Sequence, residues 1–321
     1  MGMADTVTKE YIRSNEVFAD AFNYLIYDGE QVVKPALLQE LDTTEIAIPF
    51  ALGENENQTE DVVQKYRDVL KSAVIMQDSR ASYILLGVEN QTEIHYAMPV
   101  RNIIYDALQY GKQVSEVAKR HKSKGDRKGH NKGEYLSGFY KEDRIRPVIT
   151  LVVHFGADEW DGPLSLYEMM DLEDKKLLEF VQDYRIFLID PYKLANKDLE
   201  KFSTSLGDVL GYIKYYKDKK ALSKFLNDNQ VMIMDNDAAR VIRDVTNTPI
   251  YVPDGKGEID MCKAVRDMID ESKQEGMAAG ELNKAKKMAL KMYKKGDSIE
   301  EIAEMAEVSV DQVKEWINSA V

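Results

Sequence analysis

A buried-type strand that ends in polar groups is the feature that most restricts the fold of this chain. Residues 82–110 read SYILLGVENQTEIHYAMPVRNIIYDALQY. The apolar run at residues 83–88 is typical of a strand inside a core. Glu89, Asn90 and Gln91 follow it directly, ahead of a segment with helical spacing. Such a strand holds its terminal side chains rigidly, which a preorganised chemical site requires.

Size and charge limit the possible functions. The chain has 321 residues, 44% of them hydrophobic, enough for a sizeable core and two or three folding units. Its net charge of −13 excludes a protein that coats nucleic acid nonspecifically, because such binding depends on uniform basic charge. An enzyme with a local basic groove remains compatible with this charge.

The cysteine content and the hydropathy pattern bear on location. Cys262 is the only cysteine, so an internal disulfide is excluded and a reducing cytoplasm is favoured. No apolar run reaches the length of about 20 residues that spans a bilayer. The first 15 residues lack an apolar signal-peptide core. We therefore predict a cytoplasmic protein with no membrane partner.

The first half of the chain predicts the order helix, strand, strand, helix, strand. Residues 8–28 have amphipathic helical spacing that stops at Asp-Gly-Glu. YRDVLKSAVIMQ and ASYILLGVENQ read as two strands joined by a tight turn at DSR. Residues 98–110 have helical spacing, and RPVITLVVHFG reads as a buried strand. This order indicates an α/β core.

The second half is predicted to be mainly helical. A new helical section begins at PLSLYEMM, and a short strand is expected at RIFLID. Two further helices are expected at residues 260–280 and 282–295, followed by two short ones capped by Ser298 and Ser309. We divide the chain into a core at 8–165, a mostly helical extension at 166–260 and a helical tail at 261–321.

Residues 111–146 form a basic insert in this acidic protein. Eleven lysines and arginines stand against five acids there, a local excess of six positive charges. Its centre, KRHKSKGDRKGHNKGE, lacks apolar residues, so we expect a mobile loop. The insert is either a solvated surface loop or a segment that follows DNA phosphates. The phosphate candidates are Lys122, Lys124, Arg127 and Lys128.

Two carboxylates are candidates for a metal site. Asp68 lies in the first predicted strand and Glu89 at the end of the second, so a hairpin can bring them together. Adjacent carboxylates repel unless a divalent cation such as Mg²⁺ bridges them. The main-chain carbonyl of Asn90 is a further possible ligand, and Gln91 shares the face of Glu89. Alternatively, Glu89 and Gln91 only terminate the strand and bind neighbouring loops.

Several segments, in order, resemble one family. They are NEVFADAFNYLIYDG, YRDV, GVENQTEIHYAMPVRNIIYDALQY, RPVITLVVHFG, WDGPLSLYEMM and DMCKAVRDMIDESKQEGMAAGE. Together they resemble the Rpn-family recombination-promoting nucleases, also called YhgA-like transposases, within the PD-(D/E)XK nuclease superfamily. The resemblance extends from about residue 12 to the C-terminus. It implies a restriction-endonuclease-like core, with a mixed sheet flanked by helices, and a helical C-terminal region.

The resemblance also implies a function. It is that of a Mg²⁺- or Mn²⁺-dependent DNA endonuclease in recombination, mobile elements or phage defence. Asp68 and Glu89 match the metal-binding acids, and Gln91 falls where the superfamily usually has lysine. Lys71 is a possible substitute for that lysine, although alternation points it away from Asp68. Glu16 is the candidate for a further acid from the first helix.

MPVRNIIYDALQY matches the family's M-x-x-R helix, and it places Arg101 and Tyr105 one turn apart. Arg101 either contacts a DNA phosphate or braces the helix by pairing with Asp106 or Glu89.

The tail SIEEIAEMAEVSVDQVKEWI resembles a helix-turn-helix, but residues 297–321 carry seven acids and one lysine. Phosphate would repel such a recognition helix. We therefore predict a packing or homo-oligomerisation module, with residues 284–295 as its DNA-contacting helix. Two other functions remain open: a catalytically inactive nuclease fold that binds DNA or protein, and a toxin or regulator that self-assembles through the tail.

Overall fold

The structure, a computed structural model, describes residues 2–42, 44–47, 63–66, 68–77, 80–124, 131–229 and 231–319. It divides into two units. The first comprises Met1–Thr248 and Val252–Ile259, and the second Pro249–Tyr251 and Asp260–Val321. No helix within the described ranges is long and apolar enough to cross a membrane.

The described residues form α-helices, strands and short 3-10 helices. The α-helices are α1 (Met3–Arg13), α2 (Asn15–Tyr27), α3 (Met98–Lys124), α4 (Lys132–Ser137), α5 (Asn196–Leu199), α6 (Leu206–Tyr215), α7 (Lys219–Asn229), α8 (Asn236–Thr246), α9 (Met261–Lys295), α10 (Ile299–Met305) and α11 (Val310–Asn318). The strands are β1 (Leu38–Glu40), β2 (Thr44–Ala47), β3 (Val63–Tyr66), β4 (Val69–Gln77), β5 (Arg80–Gln91), β6 (Val148–His154), β7 (Phe187–Ile189), β8 (Ile233–Asp235) and β9 (Glu258–Asp260). The 3-10 helices are Pro35–Leu37, Tyr167–Met169, Lys175–Phe180 and Pro191–Lys193.

A mixed sheet of the order β1-β4-β5-β6-β7 forms the centre of the first unit. β4 and β5 are antiparallel, with Val69 opposite Val88. β5 and β6 are parallel, and Gln91 pairs with His154. A parallel pair requires a crossover connection, which α3 and α4 provide here. The mixed sheet flanked by helices confirms the α/β class. The predicted elements occur in the expected order, but β1, β2 and β3, which precede β4, were not predicted.

The helices flank the two faces of the sheet. On one face, the α1 hydroxyl of Thr8 accepts a hydrogen bond from the Asn90 side chain of β5 at 2.6 Å. On the other, Asp106 of α3 accepts one from Thr150 of β6 at 2.5 Å. Because successive side chains of a strand alternate between faces, neighbouring residues of β5 reach different helices.

The predicted helix at residues 8–28 is in fact two helices. The backbone of Ser14 is extended (φ −51°, ψ 136°), so α1 ends at Arg13 and α2 begins at Asn15. Lys71 of β4 stabilises this break, since its ammonium binds the Arg13 carbonyl and the Asn15 side chain, each at 2.5 Å. The predicted end is confirmed, because α2 stops before Asp28, which adopts a left-handed conformation (φ 53°).

The predicted loop in the basic insert is wrong for much of its length. α3 continues through Lys119, Arg120 and Lys122 to Lys124, and α4 begins after Asn131 with a capping box. Polar composition here marks solvent exposure of a helix whose inner face still buries Gln109 and Val117. Arg127 and Lys128 lie outside the described residues.

The second half departs from the prediction in two respects. PLSLYEMM contains only the 3-10 helix Tyr167–Met169, and the two helices expected at 260–280 and 282–295 are one helix, α9. The strand at RIFLID is confirmed as β7, and Ser298 and Ser309 cap α10 and α11 as expected. Within the second unit, Ala289 of α9 packs against α10 and α11 in a small apolar cluster with Ile302, Val313 and Trp316.

Gly156 holds the end of β5 against β6. A Cβ atom there would lie 2.3 Å from the His154 ring and 2.7 Å from the Thr92 carbonyl oxygen. Gly156→Ala should therefore lower the free energy of unfolding by about 1–3 kcal/mol through overpacking, as measured by urea denaturation.

Gly111→Ala is the matched control for this substitution. Gly111 lies inside α3 with no neighbouring atom within 4 Å of an added Cβ. Alanine there should raise stability by about 0.5–1 kcal/mol, because it has the higher helix propensity. Equal effects of the two substitutions would contradict a close approach at Gly156.

Candidate functional site at the end of β5

The carboxylate of Glu89 is fully buried and pairs with α3. The side chain is 0% exposed, and its Oε2 lies 2.9 Å from Nη2 of Arg101. Arg101 also donates through Nε to the hydroxyl of Tyr105 at 3.3 Å. Asp106 instead accepts hydrogen bonds from Thr150 and from Tyr184, the latter at 2.6 Å. Of the two pairings considered for Arg101, the structure shows the one with Glu89.

Asp68 lies immediately before β4 rather than inside a strand, which corrects the predicted position. Its Oδ2 accepts a hydrogen bond from the backbone N–H of Asn90 at 2.8 Å. Its Oδ1 is 2.9 Å from Nζ of Lys9, a residue of α1. Lys9 also lies 3.4 Å from Asp5 on the same helix. The carboxylate is thus fixed to the backbone next to Glu89 and faces an ammonium group.

The hairpin brings Asp68 and Glu89 to one edge of the sheet. Val69 pairs with Val88, and the two acids are the next residues beyond that pair. Burial lowers the pKa of Arg101, but the negative charges of Glu89 and, more weakly, Asp68 raise it overall. Burial raises the pKa of Tyr105, and the same two carboxylates raise it further. Both α3 side chains therefore lie in the combined field of the two acids.

Gln91 makes a local hydrogen bond. Its side-chain amide donates to the main-chain carbonyl of Asn90 at 3.0 Å. The backbone carbonyl of Gln91 accepts from Phe155 at 2.8 Å, which fixes the strand end. A carbonyl oxygen has two lone pairs, so the bond from Gln91 does not by itself prevent the Asn90 carbonyl from acting as a ligand.

Lys71 and Glu16 lie elsewhere. The ammonium of Lys71 binds the junction of α1 and α2, as described above, and stands over the ring of Phe18 at 4.9 Å from its centroid. Lys71 therefore points away from the carboxylates, as expected. It does not take the place of the lysine that the superfamily usually has at the position of Gln91. Glu16 accepts a hydrogen bond from Ser14 at 2.9 Å, and its charge acts on Lys71. We accordingly place Glu16 outside the pair formed by Asp68 and Glu89.

Of the residues predicted to contact phosphate, some lie beside Glu89 and others lie far from it. Arg101 and Tyr105 contact each other beside Glu89, whereas Lys122 and Lys124 are exposed in the last turn of α3. With a rise of 1.5 Å per residue, Lys122 is about 30 Å along the helix from Arg101. The structure does not bring the two lysines to the carboxylates.

The oxygen donors at the end of β5 fit a magnesium site in which the protein supplies only part of the coordination shell. Mg²⁺ is commonly held by one or two carboxylates, with water and substrate phosphate completing its shell. Asp68, Glu89 and the Asn90 carbonyl meet that requirement. Among the described residues there is no cluster of three or more histidine, cysteine, aspartate or glutamate side chains that could hold a metal. An ion here would compete with Lys9 and Arg101 for the carboxylates.

Lys9 and Thr8 were missed by the sequence reasoning. Thr8 accepts from the Asn90 side chain, and its hydroxyl donates to the Ala4 carbonyl at 2.7 Å. Both residues precede Asp68 by about 60 positions, and neither lies in a recognisable motif. Only the packing of α1 on the sheet reveals that they reach the site.

Fold and site define an α/β protein with an acidic site at the end of the central strand of a mixed sheet. The profile of the family described as "Putative transposase, YhgA-like" matches residues 52–239, more than half of the chain. The chain belongs to this family, which confirms the resemblance to the YhgA-like proteins and supports a transposase- or nuclease-type role that involves DNA. No curated protein and no solved structure matches the chain.

The pairing of Glu89 and Arg101 can be tested by a double-mutant cycle. Arg101→Met removes the guanidinium that compensates a buried carboxylate, so it should cost about 3–5 kcal/mol in urea denaturation. Glu89→Met combined with Arg101→Met should recover most of that loss, because no buried charge of the pair remains. Additive losses in the double variant would contradict direct pairing.

Proposed function

We propose that the protein is a divalent-metal-dependent DNA endonuclease with a PD-(D/E)XK-type core. One observation carries this proposal. Asp68 and Glu89 are held at adjacent strand ends, one by a backbone N–H group and the other by a guanidinium. Transposase- or nuclease-type chemistry requires such a rigid acidic site, and family membership supplies the DNA context.

The side chains have separate roles in this proposal. Asp68, Glu89 and the Asn90 carbonyl hold Mg²⁺ or Mn²⁺, which when bound supplies an activated water and neutralises charge on the phosphate. The Gln91 amide orients the water or a phosphate oxygen. Arg101 contacts the phosphate from α3, with Tyr105 fixing the guanidinium through its hydroxyl.

Lys9 supplies the positive charge that a lysine at the position of Gln91 would otherwise bring to the site. Its ammonium lies 2.9 Å from Asp68, so it adds a cation to the field at the scissile phosphate. Charge that develops in a transition state is best stabilised by groups fixed in advance. α1 thus provides from outside the strand the cation that the Glu-x-Gln sequence lacks.

A second candidate function follows from the same ion pairs. Lys9 and Arg101 already balance the charges of Asp68 and Glu89. A site neutralised in this way needs no metal for stability, as expected of a nuclease fold that binds DNA without cleaving it. The two functions differ in whether the carboxylates exchange their cations for a metal ion.

Plasmid nicking tests the endonuclease. Wild-type protein should nick supercoiled plasmid with Mg²⁺ or Mn²⁺, and Asp68→Asn or Glu89→Gln should lower the rate by at least about 100-fold. Glu16→Gln is the matched control and should nick normally, because the exposed Glu16 carboxylate binds Ser14. No nicking by the wild type would reject the endonuclease in favour of the binding module.

Metal binding gives a second measurement that is independent of cleavage. Mn²⁺ at 100 times its dissociation constant should stabilise the wild type by about 2.7 kcal/mol in thermal unfolding. Glu89→Gln should lose that stabilisation. An equal gain in both proteins would place the metal elsewhere.

Lys9→Met tests the role of α1. It should lower kcat for nicking about 100-fold without weakening Mn²⁺ binding, because Lys9 competes with the metal for Asp68. Lys9→Arg keeps the positive charge and should restore most of the rate. A loss of rate that arginine does not restore, accompanied by lower stability, would reduce Lys9 to a structural contact.

A further inference from the structure

A groove lies along α3, at a distance from the carboxylates. It encloses about 530 Å³, and Leu70, Leu85 and Gln109 contribute to its lining. Four basic residues line it: Lys112, Arg120, Arg144 and Arg146. We call this cavity the α3 groove.

The α3 groove is basic in an acidic protein. Its four cations stand against Asp42 and Glu116, an excess of two positive charges, while the whole chain carries −13. All four basic side chains belong to exposed residues. A local positive field in a negative protein concentrates anions at one place on its surface. The ligand class this favours is a polyanion.

Two of the four basic residues of the α3 groove are anchored by hydrogen bonds, Arg146 through its backbone and Arg144 through its guanidinium. Gln113 of α3 accepts a hydrogen bond from the Arg146 N–H at 2.7 Å and donates to the Arg146 carbonyl at 3.1 Å. The guanidinium of Arg144 donates to the carbonyls of Lys141 and Asp143, at 2.8 and 2.7 Å. The segment before β6 is thereby attached to α3. Groups fixed on rigid elements lose little freedom on binding.

An exposed aromatic ring lies beside Arg146. Tyr83 of β5 is 53% exposed, and the Arg146 guanidinium stands 5.2 Å from its ring centroid. Alternation along β5 places Tyr83 on the same face as Leu85, which lines the α3 groove. Unpaired bases stack on tyrosine rings and arginine planes. The combination of phosphate-binding cations with a stacking surface is characteristic of sites for single-stranded nucleic acid.

One helix connects the α3 groove to the carboxylates. Arg101 beside Glu89 and Lys112 in the groove are both on α3, about 17 Å apart along its axis. That length corresponds to about five phosphates of a duplex strand. A strand bound at Arg101 can therefore extend into the groove.

We propose that the α3 groove binds the backbone of a DNA strand next to the site of cleavage, with Lys112, Arg120, Arg144 and Arg146 contacting phosphates. Tyr83 stacks on an unpaired base, so the groove favours single-stranded ends or flaps over uninterrupted duplex. The inference rests on the proposed function for the orientation of the strand. Lys122 and Lys124, two of the cations predicted from the sequence to contact phosphate, do not line this groove.

Binding measured without cleavage tests the α3 groove. A labelled single strand of about 16 nucleotides is titrated in EDTA, followed by fluorescence anisotropy at several salt concentrations. Arg120→Ala combined with Arg146→Ala should weaken binding at least 10-fold at low salt. It should also lower the salt slope by about 1.4, since each lost contact to a single strand removes about 0.7. The control is Lys219→Ala with Lys220→Ala, which removes two exposed charges of α7 and should leave the slope nearly unchanged.

Tyr83 separates stacking from charge. Tyr83→Ala should weaken binding to the single strand about 10-fold and binding to a duplex of the same length much less. Tyr83→Phe keeps the ring and should bind as the wild type does. Equal losses for both nucleic acids would overturn the stacking role.

The possible results distinguish the groove from the endonuclease. Equal binding by the Arg120/Arg146 and Lys219/Lys220 variants would overturn the α3 groove, even if plasmid is nicked. Groove-dependent binding without any nicking by the wild type would support the groove and reject the endonuclease.

Discussion

The burial of the Glu89 carboxylate is the constraint on which the rest of the site depends. An ionised carboxylate at 0% exposure is costly unless a cation and hydrogen bonds compensate it. Arg101 provides that compensation, so the first turns of α3 must cross the end of β5. The contacts of Asp106 with Thr150 and Tyr184 fix the next turn of the helix against β6. The crossover between the parallel strands is thereby held in place.

The polar end of β5 is explained by the two layers that meet it. Glu89 reaches α3, while the Asn90 side chain reaches Thr8 of α1 on the other face. The Asn90 backbone N–H binds Asp68, and the Gln91 carbonyl binds β6. The four polar groups named here thus have different neighbours. The end of β5 is polar because it makes hydrogen bonds and an ion pair with helices on both faces of the sheet and with Asp68.

Much of this arrangement follows from local sequence, and the remainder does not. The apolar runs that precede Glu89 and His154 identify β5 and β6, and Ser298 and Ser309 mark helix starts, because these signals act over a few residues. The length of α3 was underestimated because a polar helix and a polar loop have similar composition. The break at Ser14 depends on Lys71, and Lys9 contacts Asp68. Both partners are distant in sequence from the helix residues they bind. Neither contact is visible before the helices are packed on the sheet.

We propose that Asp68 and Glu89 share one metal ion. Anomalous diffraction from crystals of the protein grown with Mn²⁺ would locate that ion. We predict a single manganese peak between the two carboxylates, close to the Asn90 carbonyl, with Lys9 or Arg101 displaced from its present partner. Absence of a peak there at saturating Mn²⁺, with both ion pairs intact, would contradict the metal site and leave a DNA-binding module.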